Sequence, residues 1–174
     1  MLTEEYFPQF FTASIHHWKP ILQYETCKQI IIDSLSFLSK EKRITVYAFV
    51  IMPNHIHLIW KINNGHLRKN VQRDFLKFTG QQIKFYLQSN HPNLLECLKV
   101  EAKDRSYKIW QRNALSIDLY SEPVFEQKLD YIHSNPCQAR WQLSIVPEQY
   151  KYSSAYFYTN NSSTFSFLVH YKDA

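Results

Sequence analysis

Two histidines one residue apart, His55 and His57, interrupt the apolar run Met52–Trp60, MPNHIHLIW. In an extended strand alternate side chains share a face. His55, His57 and Ile59 would therefore point one way, and Ile56, Leu58 and Trp60 the other. The second set is a core face. The first places two imidazoles about 7 Å apart at Cα, from a strand rise of roughly 3.3 Å per residue, so they can converge on one metal ion. A pair of half-buried, hydrogen-bonded histidines on a sheet face has the same spacing, and that reading stays open. Two other histidine chemistries do not fit. Histidine-triad nucleotide hydrolases need a third histidine where Ile59 stands, and two-histidine phosphoesterases use His-x-Thr where Leu58 and Ile59 follow His57.

Two ligands do not complete a site, and EPVFEQKLDYIHSN (Glu122–Asn135) offers more. Tyr131 and Asn135 are four residues apart, one turn along the same face of a helix. An asparagine amide oxygen is a hard ligand suited to Mg²⁺ or Mn²⁺ beside imidazoles. A tyrosine near a divalent cation is favoured as its phenolate, a nucleophile, and the same cation would polarise a phosphate for attack. Taken alone, Tyr131 also reads as a helix tyrosine packing against a sheet.

The elements that must position these residues are legible in outline. FFTASI (Phe10–Ile15) reads as a first strand, and TCKQIIIDSLSFLSK as a helix with Ile30, Ile31, Leu35 and Leu38 near helical spacing and Thr26 as its cap. ITVYAFVIM (Ile44–Met52) and HIHLIWKI (His55–Ile62) are apolar strands joined by MPNH. Proline there presets the second turn position and asparagine tolerates positive φ at the third, which predicts a tight antiparallel hairpin. HLRKNVQRDFLKFTGQQIKFYLQSN (His66–Asn90) predicts a long helix with Leu67, Val71, Phe75 and Phe78 facing inward. SYKIWQ (Ser106–Gln111) predicts a short strand. The Tyr131 helix has Pro123 in its first turn and Pro136 just past its end. Strands interleaved with helices around a hairpin predict an α+β sandwich, helices packed on a mainly antiparallel sheet.

The chain has 174 residues, enough for one domain over residues 1–174, and 45% of them are apolar with only two glycines, which argues against disorder. No apolar run reaches the roughly 18 residues of a membrane helix, and the acidic, aromatic start MLTEEYFPQF does not resemble a secretion signal. Cys27, Cys97 and Cys137 are an odd number without metal-site spacing, as expected of reduced thiols in a cytoplasmic protein. A net charge of +5, a pI near 9.0 and 16% aromatic residues suit a nucleic-acid partner, since cations neutralise phosphates and rings stack on unpaired bases.

FVIMPNHIHLIW, followed some 70 residues later by LDYIHSNP, resembles the single-tyrosine transposases of the HUH (His-hydrophobic-His) endonuclease superfamily. The closer match is the branch of REP-associated tyrosine transposases, single-copy relatives linked to repetitive palindromic DNA in bacterial genomes. The resemblance spans the chain from FFTASI to PEQYKYSSAYFY. It implies a ferredoxin-like α+β fold with the histidines on a central strand. His55 and His57 match the family's metal-binding histidines, Tyr131 its nucleophile and Asn135 its third ligand. The implied reaction is cleavage of single-stranded DNA beside a hairpin, with Mg²⁺ or Mn²⁺, through a 5′-phosphotyrosine link and a free 3′-OH. Members work as dimers or monomers. After Asn135-Pro136 the family commonly has Val, a basic residue, Ala and Gly. Cys137, Gln138 and Arg140 depart from that pattern, and the missing glycine puts the local turn in question.

For DNA contacts the sequence offers Lys69, Arg73 and Lys77, spaced as one helical stripe and continued by Lys84. Lys103, Arg105 and Lys108 around SYKIWQR, and Arg140, are further candidates. A solvated helix face explains the stripe equally well. Trp141 could stack on a base, whereas Trp110 suits the core. Tyr107 and Tyr120 lack a ligand one turn on and make poor nucleophiles. Against the enzyme stands a domesticated hairpin-binding protein without cleavage, which would not need all four of His55, His57, Tyr131 and Asn135. A hydrolase of small phosphate esters would leave Tyr131 without a role.

Overall fold

The computed structural model describes residues 6–103, 105–162 and 164–173. Strands β1 (Gln9–Ser14), β2 (Ile44–Ile51), β3 (His55–Ile62) and β6 (Leu115–Asp118) form one antiparallel sheet in the order β2-β3-β1-β6. Helix α1 (Glu25–Lys40) connects β1 to β2, and α2 (Arg68–Asn90) leads from β3 towards β6. This β-α-β-β-α-β interleaving, with the first and third strands in the middle, is the ferredoxin-like arrangement. A short helix α3 (Pro92–Glu96) and a ribbon of β4 (Lys99–Ala102) and β5 (Arg105–Tyr107) are inserted before β6, and α4 (Glu122–Ser134) and α5 (Ala155–Asn160) follow it.

The pleat divides the core in two. Phe11, Ala13, Ile56, Leu58 and Trp60 pack with Ile31 and Leu35 of α1 and Val71, Phe75, Ile83 and Leu87 of α2. Phe10, Ala48, Val50 and Ile59 lie on the opposite face and pack with Phe125, Leu129 and Ile132 of α4. A bulge in β2, between Val46 and Ala48, shifts its register against β3. Because a one-residue shift exchanges faces, Val46 and Phe49 belong to the first core, and Ala48 and Val50 to the second. Val50 consequently pairs with His57.

Several local expectations are corrected. Tyr24, not Thr26, precedes α1, and no side chain caps it. Leu67 and Phe78 are exposed; the buried stripe of α2 is Val71, Phe75, Thr79, Ile83 and Leu87. Thr79 is tolerated there because its hydroxyl donates to the Phe75 carbonyl at 2.7 Å and accepts from Trp110 Nε1 at 3.0 Å, which also places Trp110 in the core as expected. SYKIWQ is extended only at its start, in β5; Trp110 makes a single bridge to Ile15. The MPNH hairpin forms, but Asn54 is not among the residues with positive φ. The cysteines are all free thiols. Among the described residues no helix is long and apolar enough to cross a membrane.

Candidate active site

β3 carries His55 and His57 on the face that α4 covers, both nearly buried at 9% and 5% exposure. Their rings meet edge to face with centroids 4.7 Å apart. Each is held at Nδ1. Thr12, the cross-strand partner of His57 on β1, brings its Oγ1 to 2.7 Å from His57 Nδ1. Asn54 Oδ1 lies 2.7 Å from His55 Nδ1, while its Nδ2 donates to the Trp18 carbonyl at 3.3 Å. With the amide oriented that way, Oδ1 only accepts, so His55 Nδ1 carries the proton and Nε2 keeps its lone pair. Fixing one ring nitrogen so that the other is free is how metal-ligating histidines are oriented. Asn54 thus serves the turn through its side chain, not through a left-handed backbone. We expect Asn54→Ala to weaken Mn²⁺ binding about 10- to 100-fold while the far-ultraviolet circular dichroism is unchanged; unchanged affinity in a metal titration would show that the carboxamide does not orient His55.

Burial pushes the His55 pKa down to about 4, helped by Arg140. Burial, then His55, Lys128 and Arg140, pushes His57 down to about 3. Both rings are therefore neutral at pH 7, the form that ligates. His133 of α4 is likewise lowered by burial, to about 4, with its Nε2 2.8 Å from Ser154 Oγ. In the unfolded chain these groups titrate near 6.5, so below that pH the unfolded state binds more protons than the native one. Stability is expected to be level above about pH 7 and to fall as pH drops from 6.5 towards 4, by up to about 1.4 kcal/mol per pH unit for each histidine. Urea midpoints measured across this range check it, and a midpoint that rises on acidification would contradict it.

α4 brings the other half of the site. Tyr131 is 40% exposed, and its ring lies 5.3 Å from the His57 ring and 6.0 Å from Phe10, which itself stacks on His57 at 5.2 Å. Lys128, one turn earlier, holds its Nζ 5.0 Å from the Phe10 ring and 6.0 Å from that of Tyr131. Asn135 follows the helix with helical φ and ψ, which keeps it on the Tyr131 face. It is fully buried, yet neither its Oδ1 nor its Nδ2 has a hydrogen-bond partner, and His57 Nε2 is buried without one too. Leaving such groups unsatisfied costs about 1–3 kcal/mol each, and the Asn135 oxygen and His57 Nε2 are both free to accept a ligand's bond. Among the described residues no three His, Cys, Asp or Glu side chains gather to hold a metal. A divalent ion here would need a third donor of another kind, and the Asn135 oxygen fits that need.

The remaining candidates separate by location. Arg140 belongs to this site, its guanidinium 5.3 Å from the Trp141 ring, which in turn lies 5.7 Å from His55. Lys69, Arg73, Lys77 and Lys84 are on α2, against the other face of the sheet, and Arg73 is engaged by Asp74 at 3.0 Å. Lys108 is near His16 at the end of β1. Lys103 follows β4 and is exposed. The backbone of Arg105 opens β5, but its side chain lies outside those described. Tyr107 donates to Glu96 at 2.8 Å and Tyr120 to Asp118 at 3.3 Å, neither beside the histidines. The turn after Asn135 does not need a glycine at Arg140, because the left-handed residue is Gln142, at φ 47°. Thr12, Asn54 and Lys128 are the residues that sequence reasoning did not place here, and Trp141, named there only as a residue to stack on a base, joins them against His55. Only the Pro-Asn pair before His55 carried any local signal for them.

The protein is thus of the ferredoxin-like α+β class, with a histidine pair on the sheet facing a tyrosine and an asparagine on a helix. No protein-family model and no curated protein sequence matches the chain. Its structure is similar to that of a REP-associated tyrosine transposase bound to a REP hairpin, with a TM-score of 0.65 at 15% identity, over 97% of this chain and 89% of the other. A crystal structure of a chain from Deinococcus radiodurans assigned to the transposases gives a TM-score of 0.45 at 17% identity, over 76% of this chain and 92% of the other. The resemblance carried by the two motifs is matched at the level of the fold.

Proposed function

We propose that this protein is a metal-dependent single-strand DNA endonuclease and strand transferase that cuts beside DNA hairpins through Tyr131. The observation that supports it best is Asn135, a buried amide with no partner, one helical turn from an exposed tyrosine whose ring packs on His57 of the histidine pair. His55, His57 and Asn135 would hold Mg²⁺ or Mn²⁺, which when bound would act as a Lewis acid on the scissile phosphate. Lys128 and Arg140 add positive charge where an anionic strand approaches. Tyr131 Oη attacks the phosphorus, the bond from phosphorus to the 3′ oxygen breaks, and the departing strand keeps a 3′-OH. At this exposed ring the phenol gives its proton to water, and a proton from water completes the departing 3′-OH, so no net proton is gained or lost. A phosphotyrosine linkage replaces the phosphodiester, so the 3′-OH of a strand can reverse the step without ATP. The structural likeness to a transposase bound to a REP hairpin supports a palindromic single strand as substrate.

Incubation with end-labelled hairpin DNA carrying unpaired flanks, in Mn²⁺, tests the proposal. An adduct that survives SDS and carries a 3′-end label, joined to the protein through the newly made 5′ phosphate, is expected, while a 5′-end label should leave with the fragment that ends in a 3′-OH. Tight hairpin binding with no adduct from any palindrome of the source genome would favour a domesticated binding protein.

A further inference from the structure

Beyond β1 the chain runs through a segment that the proposed cleavage does not use. His17 and Trp18 both occupy the left-handed backbone region, at φ 56° and 52°. Residues with a Cβ enter it only at a cost in free energy, and such residues gather where ligands are clamped. Here neighbours hold them. Trp18 N–H donates to the Ile15 carbonyl at 2.9 Å, His16 N–H to the Ile109 carbonyl at 2.7 Å, and Asn54 Nδ2 to the Trp18 carbonyl.

The strained turn leaves the Trp18 indole 51% exposed, whereas Trp60 and Trp110 are in the core. The His16 and His17 rings lie 3.9 Å apart beside it, and Lys108 is within electrostatic reach of His16. From His16 to Gln23 there is no acidic residue, and Lys19 follows the tryptophan directly. The carboxamide that donates to the Trp18 carbonyl is the one that accepts from His55 Nδ1, so the backbone carrying the exposed indole is two hydrogen bonds from a candidate metal ligand. An exposed ring on a segment with basic and no acidic residues, its backbone tied to the site through a turn, is suited to unpaired bases: rings take the base faces and cations the backbone.

We propose that Trp18 is a stacking platform for one unpaired base of the strand being cut, with Lys19 and Lys108 beside its backbone. The inference rests on the single-strand DNA reading above. Labelled hairpins with and without a short unpaired flank, titrated without metal, test it. Trp18→Ala should weaken the flanked hairpin at least about fivefold and leave the blunt one unchanged. Trp18→Phe should recover most of that affinity, since a phenyl ring also stacks, yet lose part of the quenching of tryptophan emission by DNA. Equal affinities of Trp18→Ala and the wild type for the flanked hairpin, or equal quenching in Trp18→Phe, would overturn the platform. If the wild type still forms its Tyr131 adduct, the cleavage reading survives that result. A wild type that binds no unpaired DNA would overturn both.

Discussion

Tyr131→Phe is expected to give a folded protein that binds hairpin DNA as the wild type does and forms no covalent adduct. Removing an attacking group typically lowers a rate by a thousandfold or more, on the order of 10³–10⁶, so the adduct should drop below detection in a denaturing gel. The fold should not suffer. The ring is 40% exposed, and its hydroxyl has no hydrogen-bond partner among the described residues; such surface changes usually alter stability by no more than about 0.5 kcal/mol. Phenylalanine also preserves the contacts with His57 and Phe10. Tyr107→Phe and Tyr120→Phe are the controls, because those hydroxyls are tied to Glu96 and Asp118, and both should retain full adduct yield. An adduct that persists in Tyr131→Phe and vanishes in either control would move the nucleophile elsewhere.

The parts of this site that depend on short-range periodicity were readable in advance. His55 and His57 share a face because a strand alternates, and Tyr131 and Asn135 share one because a helix repeats near four. Thr12 was not readable, because its contact with His57 depends on the β1–β3 register, which no local pattern in FFTASI reports. The bulge that pairs Val50 with His57 was hidden for a related reason: β2 is almost wholly buried, so its apolar residues carry no alternation from which to detect a phase shift. Helix faces were legible in part, but not which side of the sheet they meet. The basic stripe of α2 therefore stood as a candidate DNA contact in the sequence, and only the two cores show that α2 packs on the sheet face away from the histidines. Leu67 and Phe78 were misread because hydrophobicity alone marked the inner face of α2, whereas the chain buries Thr79 and satisfies its hydroxyl with Phe75 and Trp110.

Asn135→Leu should separate stability from function, with opposite signs. In metal-free buffer the wild-type side chain is buried with both amide atoms unpartnered, a cost of about 1–3 kcal/mol per unsatisfied group. Leucine has a similar outline and no polar atoms, and Asn135 has ordinary helical backbone angles, φ −55° and ψ −46°, that leucine accepts. The variant should therefore unfold in EDTA about 2–4 °C above the wild type, the shift expected for roughly 1 kcal/mol in a chain of this size. Adding Mn²⁺ should raise the wild-type midpoint, since a ligand that binds only the native state stabilises it by mass action, and should raise that of the variant far less. Cleavage of hairpin DNA should be lost with that response. A merely structural asparagine would behave differently: its replacement would lower the midpoint in EDTA and leave the Mn²⁺ shift intact. Residues kept at a cost to the fold are characteristic of functional sites, and Asn135 is the residue at which this protein would show that cost most directly.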